Sequence, residues 1–243
     1  MTAYFISDLH LSEETPQIYE AFKDFLTRLQ AGDDLYILGD FFDAWIGDDE
    51  DAPFALEVKE TLRRLTQRGV TGYMLPGNRD FLLGETFCRE TGLTLLPEEH
   101  VITLNGERVL LMHGDSLCTD DTEYMKFRQM VRNPAWQAQV LALPLAQRRA
   151  MAAQLRQQSK SLNAMKAEDI MDVNQREVEA RMEYWGVSRL IHGHTHRPCQ
   201  HTFKIAGATA ERWVLGDWDQ QYWWLIGNDQ LTLKEACVVP SLI

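Results

Sequence analysis

Five short apolar runs in this sequence are each followed, within three residues, by Asp, Asn or His, and this order limits the chain to a narrow class of folds. The runs occupy residues 4–6, 35–38, 73–75, 108–112 and 190–191. Amphipathic helices are predicted between the first three runs, at about residues 16–29 and 52–67. Alternating strands and helices are typical of parallel strands joined by crossover helices, whose ligands bind at the carboxyl ends of the strands. The sequence therefore predicts an α/β fold with a polar site along one sheet edge.

The second half of the chain is predicted to contain antiparallel strand pairs and a helical insert. Hairpins are expected at residues 101–112 and around residues 206–207 and 227–229, where turn-forming residues separate strand-like runs. A chain of 243 residues is long enough for one large α/β domain. We expect residues 1–243 to form that single domain, with a helical insert, or cap, at about residues 120–186.

Composition and charge exclude several classes of protein. With 45% hydrophobic and 25% charged residues, the chain is globular rather than disordered or fibrous. Its formal net charge of −12 argues against a nucleic-acid partner. The four cysteines are too widely spaced for a disulfide framework or a zinc knuckle. No secretion signal is recognisable at the N-terminus, and residues 133–147 are too short, and too interrupted by prolines, to span a bilayer. We therefore expect a cytoplasmic protein.

The charge is unevenly distributed along the chain. Residues 124–167 contain eight basic side chains and no acidic one. One interpretation is a face that attracts an anionic partner. The other is a helical face that is solvated or paired with acidic neighbours. The acidic run at residues 48–51 is expected to be a solvated turn, and Trp45 beside it could either wall the site or pack in the core.

The polar residues after the five runs form a set of possible metal ligands with oxygen and nitrogen donors. They are Asp8, His10, Asp40, Asn78, His113, His194 and His196. One ion cannot use seven such ligands, but two ions that share a bridging carboxylate can. A donor set without thiolate suits Mn, Fe or Zn. Two ions about 3.5–4 Å apart can clamp a phosphoryl group and generate hydroxide at neutral pH, so the pattern predicts a phosphoester or phosphoanhydride hydrolase.

The order Asp-x-His, Gly-Asp, Gly-Asn-x-Asp, His-Gly-Asp and Gly-His-x-His, over about residues 3–218, resembles the calcineurin-like metallophosphoesterase superfamily. The resemblance implies a four-layer α-β-β-α sandwich with a dinuclear site, here two Mn²⁺ ions per chain. One ion would take Asp8, His10, Asp40 and His196. The other would take Asp40, Asn78, His113 and His194, with Asp40 as the bridge. The resemblance also implies a catalytic group of Asp40, Asn78, Arg79 and His113, with His192 in a supporting role.

Arg79 stands where many members of the superfamily have a histidine that protonates an alkoxide leaving group. Arginine stays protonated and cannot act as that acid, but it can hold a phosphate with two hydrogen bonds. A general acid is worth roughly 10²–10⁴ in rate for an alcohol leaving group. A phosphate leaving group, with a second pKa of about 6, needs no such acid. Arg79 therefore favours cleavage of a pyrophosphate bond.

Further segments cover nearly the whole chain as far as about residue 218. They are residues 37–40, 45–49, 77–82, 96–97, 112–115, 117–121, 170–174 and 191–198. Together they resemble the UDP-2,3-diacylglucosamine pyrophosphatase family of lipid A biosynthesis. The resemblance implies a peripheral enzyme on the cytoplasmic face of the inner membrane that cleaves UDP-2,3-diacylglucosamine to UMP and 2,3-diacylglucosamine 1-phosphate, lipid X. Water would attack the uridine-side phosphorus, and we expect a monomer.

The same resemblance implies a set of substrate contacts. They are Asn78, Arg79, Asp121, Ser159, Asn163, Lys166 and His194, with Lys160 and Ser161 as alternative alignments in the insert. Apolar residues of the insert would hold two acyl chains, and its basic residues would attract an anionic headgroup or membrane surface; alternatively, the apolar residues only pack the insert onto the core. Two other functions remain open: hydrolysis of a soluble phosphodiester such as a cyclic nucleotide, and a non-catalytic scaffold.

Overall fold

The computed structural model describes residues 1–163 and 172–238, without the side chains of residues 158–163. The strands in this part of the chain are β1 (Ala3–Ile6), β2 (Asp34–Leu38), β3 (Thr71–Leu75), β4 (Thr94–Leu95), β5 (Glu99–Leu104), β6 (Glu107–Met112), β7 (Arg189–His192), β8 (Cys199–Ile205), β9 (Ala208–Val214), β10 (Gln221–Gly227) and β11 (Leu231–Cys237). The helices are α1 (Pro16–Leu26), α2 (Pro53–Gln67), α3 (Glu85–Thr91), α4 (Thr122–Val131), α5 (Pro134–Leu141), α6 (Leu145–Asn163) and α7 (Gln175–Trp185).

The first sheet combines the runs at the start of the chain with the last two strands, in the order β11-β10-β1-β2-β3-β4. Strands β1, β2 and β3 are parallel, as predicted; the short β4 adds a further parallel strand, and β10 joins β1 antiparallel. The register sets Phe5 opposite Tyr36 and Tyr36 opposite Tyr73, and the neighbouring rings stack 5.0 and 4.6 Å apart. The carboxyl ends of β1, β2 and β3 therefore meet at one edge.

The second sheet has the order β5-β6-β7-β9-β8. Its outer pairs β5–β6 and β8–β9 are the first two predicted hairpins, and the third hairpin is β10–β11 of the first sheet. Strands β6, β7 and β9 are parallel. Because β6 and β7 are parallel neighbours, the turns after them lie side by side although they begin 80 positions apart, at His113 and Gly193.

The two sheets pack face to face and carry helices on their outer faces. Phe5 and Leu38 of the first sheet share a buried cluster with Leu111, Ile191 and Trp213 of the second. Helices α1, α2 and α3 cover the outer face of the first sheet with residues that include Phe22, Phe25, Val58, Leu62 and Phe87. Helix α7 covers the outer face of the second sheet with Val178 and Met182. The predicted four-layer α-β-β-α sandwich is confirmed.

Helices α4, α5 and α6 follow β6 and pack beside the first sheet rather than between the sheets. Val140, Trp136 and Met151 lie against the cluster under α1 and α2, and the Trp136 ring lies 6.0 Å from the Phe81 ring. The division of residues 1–243 into one domain and an insert at about residues 120–186 stays a prediction. No helix in the described ranges is both long enough and apolar enough to cross a membrane.

The basic residues of segment 124–167 are paired with acidic residues of this chain. The six of them whose side chains are described all form ion pairs: Lys126, Arg128, Arg132, Arg148, Arg149 and Arg156. Arg148 and Arg149 of α6 bind the acidic run at residues 48–51, through Asp49 and Glu50 respectively. The expectation of a solvated acidic turn is confirmed in part: the side chains of Asp49 and Asp51 are 61% and 70% exposed, but both are also paired with arginines of α6. Trp45 beside it is buried, stacking 4.5 Å from Phe42, and also lines a cleft.

Candidate metal centre and active-site cleft

The turns that carry the predicted ligands have an unusual backbone. Asp8, His10, Asp40, His194 and His196 all have φ between 49° and 67°. This left-handed region is uncommon for residues other than glycine and costs on the order of 1–3 kcal/mol at each position. Such turns persist only where the surrounding structure holds them. Here the Asp8 and His10 amides donate to the Gly39 and Asp40 carbonyls at 3.1 and 3.0 Å, tying the β1 turn to the β2 turn.

One group of side chains gathers around the carboxylate of Asp8. Nε2 of His196 lies 3.4 Å from Oδ1 of Asp8 and 3.3 Å from Nε2 of His10. One potential ligand atom from each of these three residues lies within 4.8 Å of the other two. Asp8, Asp40 and His113 form a second group that meets the same criterion. Two ligand groups therefore share Asp8 and lie side by side.

The remaining predicted ligands join the second group. The side-chain oxygen of Asn78 lies 2.8 Å from Nε2 of His113 and 2.8 Å from Nδ1 of His194. Nε2 of His113 is also 3.5 Å from Oδ1 of Asp40. The fold thus brings all seven predicted ligand residues to one edge of the paired sheets, from five separate turns.

Two buried polar atoms that form no hydrogen bond in the described part of the chain indicate that this cluster fits a metal. Oδ1 of Asp8 and Nδ1 of His10 are buried and form no hydrogen bond within the described residues. A buried polar atom left unpaired costs about 1–3 kcal/mol, and more when the group is charged. A divalent cation with oxygen and nitrogen ligands would satisfy both atoms.

The pKa values of two of the four predicted histidine ligands favour metal binding. Burial lowers the pKa of His10 to about 3 and that of His194 to about 4, so both rings are neutral and keep a lone pair for a cation. For His196, burial acts in the same direction, but the contact with Asp8 outweighs it and raises the pKa to about 9.

The carboxyl group of Asp40 has a raised pKa because it is buried with too little positive charge around it. Burial, with Asp80 and Asp8 nearby, raises the pKa of Asp40 to about 7 despite the opposing effect of His113. A buried carboxylate among other carboxylates lacks compensating positive charge. Divalent cations at this point would supply that charge.

Asp80 is a supporting residue that motif reasoning did not single out. Its buried carboxylate accepts hydrogen bonds from the amides of Gly77, Phe41 and Asp40 at 2.6, 2.8 and 3.2 Å. It therefore ties the β2 turn to the β3 turn. A side chain at Gly77 would collide with Asp40, so this close approach requires glycine. Asp80 is the last residue of the Gly-Asn-Arg-Asp motif, so the sequence contained a signal for it. The motif alone did not reveal that its carboxylate binds backbone amides of two turns.

His113 and His192 are held by different partners. Nδ1 of His113 lies 2.9 Å from the Leu38 carbonyl, so its other nitrogen faces the ligand cluster. His192 is fully buried, and its Nδ1 contacts the Gly193 carbonyl at 2.8 Å. Arg212 donates to Nε2 of His192 at 3.1 Å. Both ring nitrogens of His192 are therefore engaged outside the cluster.

A cleft of about 240 Å³ leads away from the cluster at Asn78 and Arg79. Its walls come from the loop after β2, the loop after β3 and helices α4 to α6. Most of the lining is apolar, including Trp45, Phe81, Phe127, Trp136, Met151 and Leu155. The backbone amide of Arg79 donates to Oδ1 of Asp40 at 2.8 Å, which places the Arg79 residue at the junction of cluster and cleft.

The other predicted substrate contacts lie elsewhere or outside the described side chains. Asp121 is buried at the start of α4, where its carboxylate accepts from the Tyr124 amide at 3.1 Å, and it does not line the cleft. The side chains of Ser159 and Asn163, and the whole of Lys166, fall outside the described residues. Their roles stay predictions.

Comparison with known proteins places the chain in a family. A family model described as calcineurin-like phosphoesterase matches residues 1–198. A protein of Cellvibrio japonicus named UDP-2,3-diacylglucosamine hydrolase is 58% identical over 93% of this chain and 94% of its own length. Proteins of the same name from Chromohalobacter salexigens and Pseudomonas paraeruginosa are 55% and 52% identical, over 90% and 92% of this chain and 89% and 93% of theirs. Members of the phosphoesterase family are hydrolases with a divalent metal centre, which the ligand cluster described above fits. The chain therefore belongs to the calcineurin-like phosphoesterases and, within them, to the family of UDP-2,3-diacylglucosamine hydrolases.

Proposed function

We propose that the protein hydrolyses the pyrophosphate bond of UDP-2,3-diacylglucosamine to UMP and 2,3-diacylglucosamine 1-phosphate with two Mn²⁺ ions. The observation that carries this proposal is the junction at Asn78 and Arg79, where a cluster of metal-ligand residues opens into a largely apolar cleft. Phosphoanhydride chemistry and acyl-chain binding would then occur in adjoining spaces.

The apolar lining favours a lipid over a soluble phosphodiester. Each methylene that leaves water for such a cleft contributes about 0.8 kcal/mol. Acyl chains can use the aromatic and aliphatic walls around Phe81, Trp136 and Leu155. A cyclic nucleotide has too little apolar surface to gain comparable binding energy.

Arg79 suits the proposed reaction because a phosphate is the leaving group. Its guanidinium can hold phosphate oxygens with two hydrogen bonds and stabilise charge that develops during bond cleavage. The leaving sugar phosphate needs no proton from the protein at neutral pH. A leaving alcohol would need one, which favours the pyrophosphate over a simple diester.

The seven ligand residues are assigned to two ions with Asp40 between them. Asp8, His10 and His196 would hold one ion with Asp40, and Asn78, His113 and His194 would hold the other. Bound divalent ions supply Lewis-acid charge neutralisation and an ionised water near neutral pH. The neutral His10 and His194 rings are ready to bind without first losing a proton. Manganese suits this thiolate-free set of oxygen and nitrogen donors.

The proposal includes a monomer that works at the cytoplasmic face of the inner membrane. Met130 of α4 and Leu141 of α5 are 44% and 42% exposed on helices that wall the cleft. The described basic residues of segment 124–167 are already ion-paired, so the proposed membrane contact depends mainly on these apolar side chains. Vesicle flotation of wild type and of Met130→Ser/Leu141→Ser tests it, and equal flotation of the two proteins would contradict it.

The deciding experiment measures UMP release from UDP-2,3-diacylglucosamine in mixed micelles, with and without Mn²⁺. UDP-N-acetylglucosamine and bis-p-nitrophenyl phosphate are assayed under the same conditions. We expect fast Mn²⁺-dependent cleavage of the acylated substrate alone. Preferential cleavage of the simple diester would overturn the lipid assignment. Protein that neither contains nor recruits a divalent metal would overturn the catalytic proposal and favour a scaffold.

A further inference from the structure

A second cleft, of about 200 Å³, reaches the same metal-ligand cluster from another side. It meets the cluster at His10, whereas the first cleft meets it at Asn78 and Arg79. Its wall is formed by the loop after β1, the start of α1 and the turn between β9 and β10. Asp43 and Arg156, whose side chains form an ion pair, line both clefts.

Two clefts that converge on one cluster suit a substrate that carries two chemically different substituents on either side of the scissile phosphate. If the scissile phosphorus lies at the cluster, one substituent must extend into each cleft. The first cleft has an apolar lining, so the acyl chains belong there. The substituent without acyl chains must then enter the second cleft.

The lining of the second cleft is much more polar than that of the first, although Leu9, Ile18 and Trp218 also contribute to it. It includes the hydroxyls of Ser12 and Thr15, which lie 3.0 Å apart, the amide of Gln17 and the carboxylates of Asp217 and Asp219. Asp217 also contacts Nδ1 of His196 at 3.5 Å, which places this wall directly beside the cluster. Such a lining cannot gain much from an acyl chain but offers several hydrogen-bonding groups.

Two of these side chains match the groups of a pyrimidine nucleoside. The Gln17 amide carries a donor and an acceptor and forms no side-chain hydrogen bond with the described residues, so it is available for a ligand. The edge of a uracil ring presents one N–H donor between two carbonyl acceptors, which is complementary to an amide. Asp219 is exposed at the rim, and carboxylates are the usual partners of ribose hydroxyls.

We propose that the second cleft is the nucleoside subsite, with Gln17 contacting the base and Asp219 contacting the ribose hydroxyls. This inference rests on the proposed function for the identity of the substrate, since the nucleoside is the polar arm of UDP-2,3-diacylglucosamine. It adds which residues bind that arm and on which side of the cluster it lies.

The test is a calorimetric titration of the Mn²⁺-loaded protein with inorganic phosphate, ribose 5-phosphate and UMP. All three ligands present a phosphate to the metal site, so differences between them isolate the ribose and the base. We expect affinity to rise at each step. Asp219→Ala should remove about tenfold at the ribose step, and Gln17→Leu about fivefold at the base step. Gln17→Glu, which keeps the side-chain length, is the second variant at that position.

Gln67→Leu and Asp229→Ala are matched controls on exposed positions away from both clefts, and both should keep the wild-type series of affinities. The subsite is overturned if UMP binds no tighter than phosphate, or if the Gln17 and Asp219 variants keep the wild-type series. Binding of UMP does not require turnover, so the outcome is independent of the micelle assay. If wild type shows both steps, Asp219→Ala loses the ribose step and Gln17→Leu loses the base step, but the lipid is not cleaved, the subsite is supported and the proposed function is overturned.

Discussion

The carboxylate of Asp80 accepts a hydrogen bond from the backbone amide of Asp40 at 3.2 Å. The same carboxylate binds the amides of Gly77 and Phe41. One side chain therefore holds the strained turn that presents Asp40 and the turn that presents Asn78. The position of two predicted metal ligands depends on a residue that is not itself in the ligand cluster.

Replacing Asp80 should weaken both fold and metal binding. Asp80→Ala leaves the four buried amides of Asp40, Phe41, Phe42 and Gly77 without this acceptor, and we expect a loss of about 3 kcal/mol in the free energy of unfolding. Asp80→Asn keeps one acceptor oxygen and should lose less. Denaturant unfolding of the metal-free protein and Mn²⁺ titration measure the two effects. Wild-type stability and Mn²⁺ affinity in Asp80→Ala would contradict this role.

Removing the charge of Asp40 should abolish turnover while stabilising the metal-free protein. The pKa of Asp40 is raised to about 7, so the folded state holds its proton more tightly than the unfolded state does. Wild type thus loses stability as pH rises from about 4 to 7, and Asp40→Asn does not. We expect the metal-free variant to melt above wild type at pH 8 and nearer to it at pH 5.

Addition of Mn²⁺ provides the control for Asp40→Asn. Wild type should gain stability with the metal, because a ligand that binds only the folded state shifts its melting temperature upward. The variant should gain much less. Calorimetric melting with and without Mn²⁺ at both pH values checks this, and equal metal-induced shifts would show that Asp40 is not a ligand.

Arg79→His should reduce pyrophosphate hydrolysis. The guanidinium is proposed to stabilise charge at the phosphate, and loss of one such donor typically lowers kcat by about 10²–10³. Arg89→His, on the exposed part of α3, should leave kcat unchanged. Steady-state kinetics on the acylated substrate measure the effect. A rise in activity on replacement by histidine would refute the leaving-group argument.

Phe81→Ala should affect the acylated substrate selectively. The Phe81 ring lines the first cleft, so its removal deletes apolar contact area and should lower kcat/KM by about 10-fold or more. Phe54→Ala is the matched control: Phe54 is also half-buried but packs on Tyr19, away from the cleft. The control should lose stability but keep its preference among acyl-chain lengths. The same dependence on chain length in both variants would separate Phe81 from acyl binding.

Lys166→Ala should raise KM for the acylated substrate with little change in kcat. The expectation comes from the family resemblance, in which a lysine near the end of the insert contacts the substrate. Lys126→Ala is a suitable comparison, since Lys126 is exposed and is paired with Glu123 on its own helix. An unchanged KM in Lys166→Ala would remove this residue from the binding site.

Local patterns predicted much of the architecture. The runs that end at Ile6, Leu38 and Leu75 form parallel strands, and the turn at Asn105 and Gly106 closes a hairpin. Such features follow from side-chain periodicity and turn chemistry over a few residues. The predicted ligand residues were identifiable because they lie in the turns that follow five strand-like runs.

Contacts between distant segments could not be read from these patterns. The acidic run at residues 48–51 has the composition of a solvated turn, yet Asp49 binds Arg148 across 99 positions of sequence. The basic segment has the composition of an anion-binding face, but its described charges are neutralised within the chain. The sign of a side chain's charge can be read from the sequence. Its ion-pair partner depends on which segments the fold brings together.

The sequence by itself determined where the main strands lie along the chain and the chemistry of the seven predicted ligand residues. It also determined that arginine stands at position 79, where many members of the superfamily have histidine. Only the tertiary structure decided that Asp80 supports two ligand turns and that two unlike clefts meet at the ligand cluster. The physical reason is that residue type and periodicity act over a few positions. Burial, unpaired atoms and cleft walls arise only when segments far apart in the chain pack together.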